Sequence, residues 1–138
     1  MNIIDAAYKK IAGDEKLKRE VPRYLVAGGL AVLTDLAVYY LLILVLPYYL
    51  SKGISFITGA VVAFVINKLW TFNKKEKSFA EIVKFVVLYL ATLGANVLVN
   101  QLVLFIFPTF VFFGFLCATG TSTVLNFIGQ KWWVFKQE

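Results

Sequence analysis

The sequence predicts an all-α integral membrane protein in which four transmembrane helices form two helical hairpins, with both termini in the cytoplasm. Three observations support this prediction. The 138 residues are 60% hydrophobic, with a mean hydropathy of +0.77, which is more apolar surface than a soluble domain of this size can bury. Four apolar runs each reach the ~20 residues that cross a bilayer. An aromatic and basic ending occurs twice along the chain.

The first 22 residues form a basic cytosolic segment ahead of the membrane domain. Its cations are Lys9, Lys10, Lys16, Lys18 and Arg19. An apolar face at helical spacing is formed by Ile4, Ala7, Tyr8 and Ile11. A short helix on the membrane surface fits this pattern, and a disordered basic tail fits the segment as well.

The membrane domain is predicted to cover residues 23–138. The four apolar runs are residues 24–46, 50–70, 85–107 and 110–135. Pro47 and Pro108 lie in very short connections, so the first two runs and the last two each form a hairpin. Residues 73–78 form the one real loop, and the two repeats cover about 23–74 and 84–138.

The basic residues predict the orientation of the spans. Near the ends that would face the cytoplasm, the membrane domain carries Arg23, Lys68, Lys74, Lys75, Lys77, Lys84, Lys131 and Lys136. The opposite side carries only Lys52. The positive-inside rule therefore places both termini and the central loop in the cytoplasm. The net charge of +6 lies beside membrane segments, which favours anionic lipids as partners over nucleic acid.

The second and fourth runs end in the same pattern of residues. The matched pairs are Phe64 with Phe127, Asn67 with Gln130, Lys68 with Lys131, Trp70 with Trp133, and Phe72 with Phe135. Placing Arg23 over Lys84 puts Asp35 over Asn96. Each hairpin crosses the membrane an even number of times, so the two repeats point the same way, as in parallel-repeat transporters. A repeat that serves only the structure is the alternative.

Asp35 is the acid within a predicted span, about eleven residues from its start and near the midplane at ~1.5 Å per residue. An ionised carboxylate there costs at least ~2.5 kcal/mol, so Asp35 should face a partner or a wet cavity, or be protonated. Its counterpart Asn96 shares a face with Thr92 and Asn100. If both faces point at the axis between the halves, a polar core forms there. A hydrogen bond that merely holds the helices together is the alternative.

Small residues recur at every fourth position in the second and fourth runs. The two stripes are Ser51, Ser55, Gly59, Ala63 and Asn67, and Gly114, Ala118, Ser122, Asn126 and Gln130. Such spacing lets helices approach closely. Packing explains the small residues but not why Asn126 and Gln130 extend the stripe, so we also expect a partly polar groove that opens toward the cytosolic headgroups.

Four cations stand at the cytosolic ends of the spans among aromatic residues: Arg23, Lys68, Lys84 and Lys131. Each is explained by anchoring alone, but as a set they can bind a lipid phosphate. Lys52, near the outer surface, either receives the phosphate there or extends to water. The candidate binding residues are Arg23, Asp35, Lys52, Asn67, Lys68, Trp70, Lys84, Asn96, Asn126, Gln130, Lys131 and Trp133.

The sequence lacks the usual motifs of enzymes. It contains no P-loop, nucleophile elbow, dinucleotide fingerprint or metal-ligand cluster, and no histidine. Cys117 is a single cysteine within an apolar run, so it forms no internal disulfide. We therefore expect no catalytic activity, no cofactor and no metal.

Residues 23–29 (RYLVAGG), Asp35 and the ending at residues 64–72 together resemble the GtrA-like family. The resemblance extends over residues 20–137. The chain departs from the family pattern at Ala63, where such proteins commonly have Asn before Phe, and at Leu69, which replaces a frequent second cation. The second half keeps Asn126 before Phe127.

The resemblance implies translocation of a polyprenyl-phosphate-linked monosaccharide, typically an undecaprenyl-phosphate hexose, across the bacterial plasma membrane to its outer leaflet. There a separate glycosyltransferase would decorate O-antigen, teichoic acid or arabinogalactan. The expected partner is the polyprenyl-phosphate glycosyltransferase that makes the carrier on the cytosolic side. Four helices enclose little volume, so a homodimer is reasonable. The alternatives are a non-transporting anchor for the glycosyltransferase and a small proton-coupled multidrug exporter.

Overall fold

The computed structural model describes residues 2–136, apart from the side chains of Tyr48 and Tyr49. All of the regular elements in these residues are helices. The chain divides into two compact units, Met1–Lys75 and Glu76–Glu138.

The N-terminal segment forms helix α1, Ile3–Ala12. Asn2 caps it, because the Asn2 side-chain oxygen accepts a hydrogen bond of 2.8 Å from the backbone N–H of Asp5. The predicted apolar face is present, with Ile4, Tyr8 and Ile11 all exposed. Ile3–Ala12 is therefore helical in the structure, and its place on a membrane surface stays a prediction.

The first hairpin consists of α2 (Glu15–Leu42) and α3 (Tyr48–Ile66), followed by a π-helix at Asn67–Thr71. Helix α2 begins well before the predicted start at residue 24 and continues through Pro22. Its start is set by Asp14, whose carboxylate accepts hydrogen bonds from the backbone N–H groups of the first turn.

The second hairpin repeats the lengths of these elements. Helix α4 (Phe79–Ile106) has 28 residues, as α2 does, and α5 (Val111–Gly129) has 19, as α3 does. A second π-helix of five residues, Gln130–Val134, follows α5. The equal lengths favour the predicted repeat.

Both π-helices are defined by a hydrogen bond that spans five residues. The backbone N–H of Phe72 donates to the carbonyl of Asn67 at 2.8 Å, and that of Phe135 donates to the carbonyl of Gln130 at 2.8 Å. Such wide turns are rare and are often found at functional sites. They occupy the repeated ending that the sequence analysis identified.

Among the described residues, four helices are long and apolar enough to cross a membrane, as predicted. Most of their large apolar side chains are exposed, as expected of helices that contact lipid. We call the end of each hairpin where the chain enters and leaves its open end, and the end with the connecting turn its closed end. Each π-helix lies at the open end of its hairpin.

Candidate functional site

An ion pair joins the two helices of the first hairpin. The Lys52 ammonium on α3 donates a hydrogen bond of 2.8 Å to Oδ2 of Asp35 on α2. The Lys52 nitrogen also lies 5.9 Å from the centre of the Tyr39 ring. The sequence analysis treated Asp35 and Lys52 as separate features, with Lys52 alone near the outer surface. The structure pairs them, so each charge has its counter-charge within the hairpin.

Gly59 allows α2 and α3 to come close beside this ion pair. A methyl group at Gly59 would lie 2.8 Å from the carbonyl oxygen of Ala31 and 3.2 Å from Cβ of Asp35. The other small residues of the α3 stripe are buried as well: Ser51, Ser55 and Ala63. The predicted stripe is therefore the surface on which α3 packs against α2.

In the second hairpin, neutral side chains take the place of the ion pair. The Thr92 hydroxyl on α4 donates a hydrogen bond of 2.9 Å to Oδ1 of Asn126 on α5. The Asn96 amide donates one of 3.1 Å to the hydroxyl of Ser122. The polar face predicted on α4 therefore packs against the small-residue stripe of α5. Asn126, which extends this stripe, has Thr92 as its hydrogen-bond partner.

These contacts lie within each hairpin. They do not test the expectation that the faces containing Asp35 and Asn96 point at a shared axis between the halves. They do establish that the two equivalent positions differ chemically, because Asp35 faces a cation and Asn96 faces a hydroxyl.

The amides of the repeated ending are turned into the protein. Asn67 is 1% exposed and Gln130 is 0% exposed. The hydroxyl of Thr71 donates a hydrogen bond of 2.9 Å to Oδ1 of Asn67. Lys68 is also largely buried, at 8% exposure, whereas Lys131 is partly exposed. Asn67, Gln130 and Lys68 therefore belong to the interior of the open ends more than to their surface.

A cation from the long helix lies against a tryptophan of the π-helix at each open end. In the first hairpin, Arg23 donates a hydrogen bond of 3.0 Å to the carbonyl oxygen of Trp70, and its guanidinium carbon is 5.0 Å from the Trp70 ring centre. We call Arg23 and Trp70 the first clamp. In the second hairpin, the Lys84 ammonium is 5.9 Å from the Trp133 ring centre. We call Lys84 and Trp133 the second clamp.

Each clamp presents a positive charge. Among the described residues, neither Arg23 nor Lys84 has an acidic partner, unlike Lys18, which pairs with Glu15, and Lys52. The Trp70 and Trp133 rings remain 41% and 43% exposed. A cation held over an exposed aromatic ring can bind an anion while the ring contacts an apolar or sugar surface.

Two buried acids near the open ends escaped the sequence analysis. Glu20 is 1% exposed and Glu81 is 2% exposed. Each stands three residues before the cation of its clamp, Arg23 or Lys84. The signal was available, because the alignment of Arg23 with Lys84 also places Glu20 over Glu81. From the sequence, Glu20 was placed in the polar N-terminal segment, residues 1–22. In the structure, the part of this segment from Glu15 onward belongs to α2.

Comparison with known proteins agrees with this description. A family model described as GtrA/DPMS, transmembrane domain, matches residues 23–135. The chain is 33% identical over 126 residues to the uncharacterized membrane protein YngA of Bacillus subtilis (strain 168), a match that covers 88% of this chain and 82% of that protein. No solved structure matches the chain significantly. Because the matched family model covers both hairpins and both clamps, the resemblance seen in the sequence is confirmed, and the chain belongs to the GtrA/DPMS transmembrane-domain family.

Proposed function

We propose that the protein translocates a polyprenyl-phosphate-linked monosaccharide from the inner to the outer leaflet of the bacterial plasma membrane. Membership of the GtrA/DPMS family suggests involvement in the handling of polyprenyl-phosphate sugars. An undecaprenyl-phosphate hexose, used outside by a glycosyltransferase for cell-surface polysaccharide or teichoic acid, is the substrate we propose.

The observation that carries this proposal is the pair of clamps. A lipid phosphate needs a cation at the level of the headgroups, and tryptophan prefers the same level. Arg23 and Lys84 supply cations that lack an acidic partner among the described residues. The exposed rings of Trp70 and Trp133 suit the apolar face of a sugar.

Charge supports an orientation in which the open ends face the cytoplasm. The cations that precede, separate and follow the hairpins lie next to the open end of one hairpin or the other along the chain. Lys52, the cation on the other side, is neutralised by Asp35. The excess of Lys and Arg at the open ends is the asymmetry on which the positive-inside rule depends.

Polar side chains within the spans provide partners for a sugar on its way across. The hydrogen bonds between Thr92 and Asn126 and between Asn96 and Ser122 are of the kind that hydroxyl groups of a sugar can replace. The prenyl tail stays in lipid throughout. No energy-coupling motif occurs in the sequence, so movement follows the concentration gradient that consumption outside maintains.

A vesicle assay tests the proposal directly. Purified protein is reconstituted with a labelled undecaprenyl-phosphate hexose, and periodate outside the vesicles oxidises the sugars of the outer leaflet. We expect wild-type protein to bring the inner-leaflet sugars to the outer leaflet, where periodate oxidises them. The double variant Arg23→Gln/Lys84→Gln should slow this oxidation by about tenfold or more. Lys18→Gln, in which the lost cation is one already paired with Glu15, is the matched control. If the inner-leaflet sugars are oxidised no faster in vesicles with wild-type protein than in protein-free vesicles, the proposal is contradicted.

A cellular assay separates transport from the role of an anchor. We expect Asp35→Asn and Lys68→Ala to abolish surface glycosylation even when it is normalised to the amount of inserted protein. An anchor for the glycosyltransferase would tolerate both changes and would move no lipid in vesicles. A proton-coupled exporter would instead release protons when a lipophilic cation is added.

A further inference from the structure

The two open ends repeat one arrangement of residues. In each, the cation comes from the long helix of the hairpin, at Arg23 or Lys84, and the ring comes from the fourth of the five residues of the π-helix, Trp70 or Trp133. The distances from cation to ring centre are 5.0 Å and 5.9 Å. The two tryptophans are also similarly exposed, at 41% for Trp70 and 43% for Trp133.

Each clamp is complete within its own hairpin. The contact between Arg23 and Trp70 joins α2 to the first π-helix, and the contact between Lys84 and Trp133 joins α4 to the second. Each contact lies inside its own compact unit of the chain, the first in Met1–Lys75 and the second in Glu76–Glu138. Neither clamp therefore requires a residue of the other hairpin to hold its cation in place.

The two cations differ in how they can bind a phosphate. Arg23 uses one N–H group on the Trp70 carbonyl and keeps further N–H groups of its planar fork for a ligand. Lys84 is a point charge that lies over the Trp133 ring. A phosphodiester or a phosphomonoester fits both, but the first clamp has the more directional chemistry.

We propose that the protein binds two lipid phosphates, one at each clamp, and does not grip a single phosphate with all of its open-end cations. This inference rests on the proposed function, because it assumes that the clamps recognise the phosphate of a polyprenyl lipid. It adds that the hairpins are separate binding units with different selectivity. Either clamp keeps its ligand when the other is disabled.

The tryptophans allow each clamp to be observed by itself. In a Trp132→Phe/Trp133→Phe background, Trp70 is the remaining tryptophan and its fluorescence reports the first clamp. In a Trp70→Phe/Trp132→Phe background, Trp133 reports the second. Both proteins are titrated in neutral detergent with farnesyl phosphate, a short polyprenyl phosphate. Inorganic phosphate and farnesol serve as arms that carry the headgroup or the chain alone.

We expect both tryptophans to respond to farnesyl phosphate, with about two equivalents bound per wild-type chain by equilibrium dialysis. Arg23→Gln should weaken the Trp70 response by about tenfold or more and leave the Trp133 response within about twofold. Lys84→Gln should do the reverse, and Lys18→Gln should change neither. Because Arg23→Gln also removes the bond to the Trp70 carbonyl, Arg23→Lys is measured in parallel and should weaken only the first clamp.

Three results would overturn the inference. One bound equivalent per chain, or loss of both responses when either cation is removed, indicates a single shared site, and the proposed function then stands without this addition. An equally strong response to inorganic phosphate indicates a site for free phosphate. Absence of any response to farnesyl phosphate in folded protein, verified by its helical circular dichroism, removes phosphate recognition and with it the basis of the proposed function.

Discussion

Lys52 on α3 donates a hydrogen bond of 2.8 Å to Asp35 on α2, so the acid of the first span and the cation of the closed end neutralise each other. Removal of one partner leaves the other charge without its counter-charge, which costs more than removal of both, above all for the carboxylate, whose side chain is 20% exposed. The equivalent position in the second hairpin, Asn96, carries no charge and needs no such partner.

We therefore predict strong coupling between Asp35→Asn and Lys52→Gln. Each single change should lower the unfolding free energy in detergent, and the double change should cost less than the sum by about 1–3 kcal/mol. Chemical denaturation followed by circular dichroism measures the four proteins of the cycle. Additive losses would mean that the ion pair contributes nothing to the stability of the hairpin.

Gly59→Ala should separate α2 from α3. The added methyl group would meet the backbone carbonyl of Ala31 at 2.8 Å, and a backbone atom cannot rotate away as a side chain can. We expect a loss of about 1–3 kcal/mol in unfolding free energy. Gly53→Ala on the same helix, where an added methyl group meets nothing within 4 Å, is the matched control. Equal effects of the two changes would contradict the close approach.

Thr92→Val should weaken the second hairpin, because it removes the donor to Asn126 and keeps the shape of the side chain. Interhelical hydrogen bonds of this kind contribute about 0.6 kcal/mol on average and up to about 1.7 kcal/mol in membrane proteins. The control is Thr58→Val, since the Thr58 hydroxyl bonds only to the carbonyl of Ile54 on its own helix. Thermal unfolding should be lowered by Thr92→Val and nearly unchanged by Thr58→Val.

Glu20→Ala should destabilise the first hairpin much more than Glu15→Ala. Glu20 is 1% exposed and interacts with neighbouring residues, and leaving a buried polar partner unsatisfied costs about 1–3 kcal/mol. Glu15 lies on the same helix with its side chain 85% exposed, where ion pairs contribute about 0–1 kcal/mol. Melting temperatures in detergent compare the two. A similar shift for both would contradict a structural role for Glu20.

The four spans were predictable because a helix that crosses the hydrocarbon core needs a run of about 20 mostly apolar residues, and such runs are visible in the sequence. The start of α2 could not be predicted in this way, because residues 15–22 are mostly polar. The cap at Asp14 is what marks the first turn. The π-helices were also missed. They depend on hydrogen bonds across five residues, which leave no period that the pattern of apolar residues reveals.

For the candidate site, the sequence identified most residues but not their pairing. Arg23, Trp70, Lys84 and Trp133 were each selected because of their type and place near the end of a span. Which cation lies against which ring depends on how the helices of a hairpin pack, and that follows only from the folded structure. Glu20 and Glu81 were missed because burial of an acid is a property of its neighbours in space.

The wide turn at each open end has a consequence for insertions and deletions. A π-helix accommodates one residue more than an α-helix over the same stretch. Deleting Leu69 would remove that extra residue and let the chain return to α-helical winding, with the residues after the deletion close to their present direction. A deletion at this one position would therefore remove the wide turn, while every charged and aromatic side chain of that open end would still be encoded.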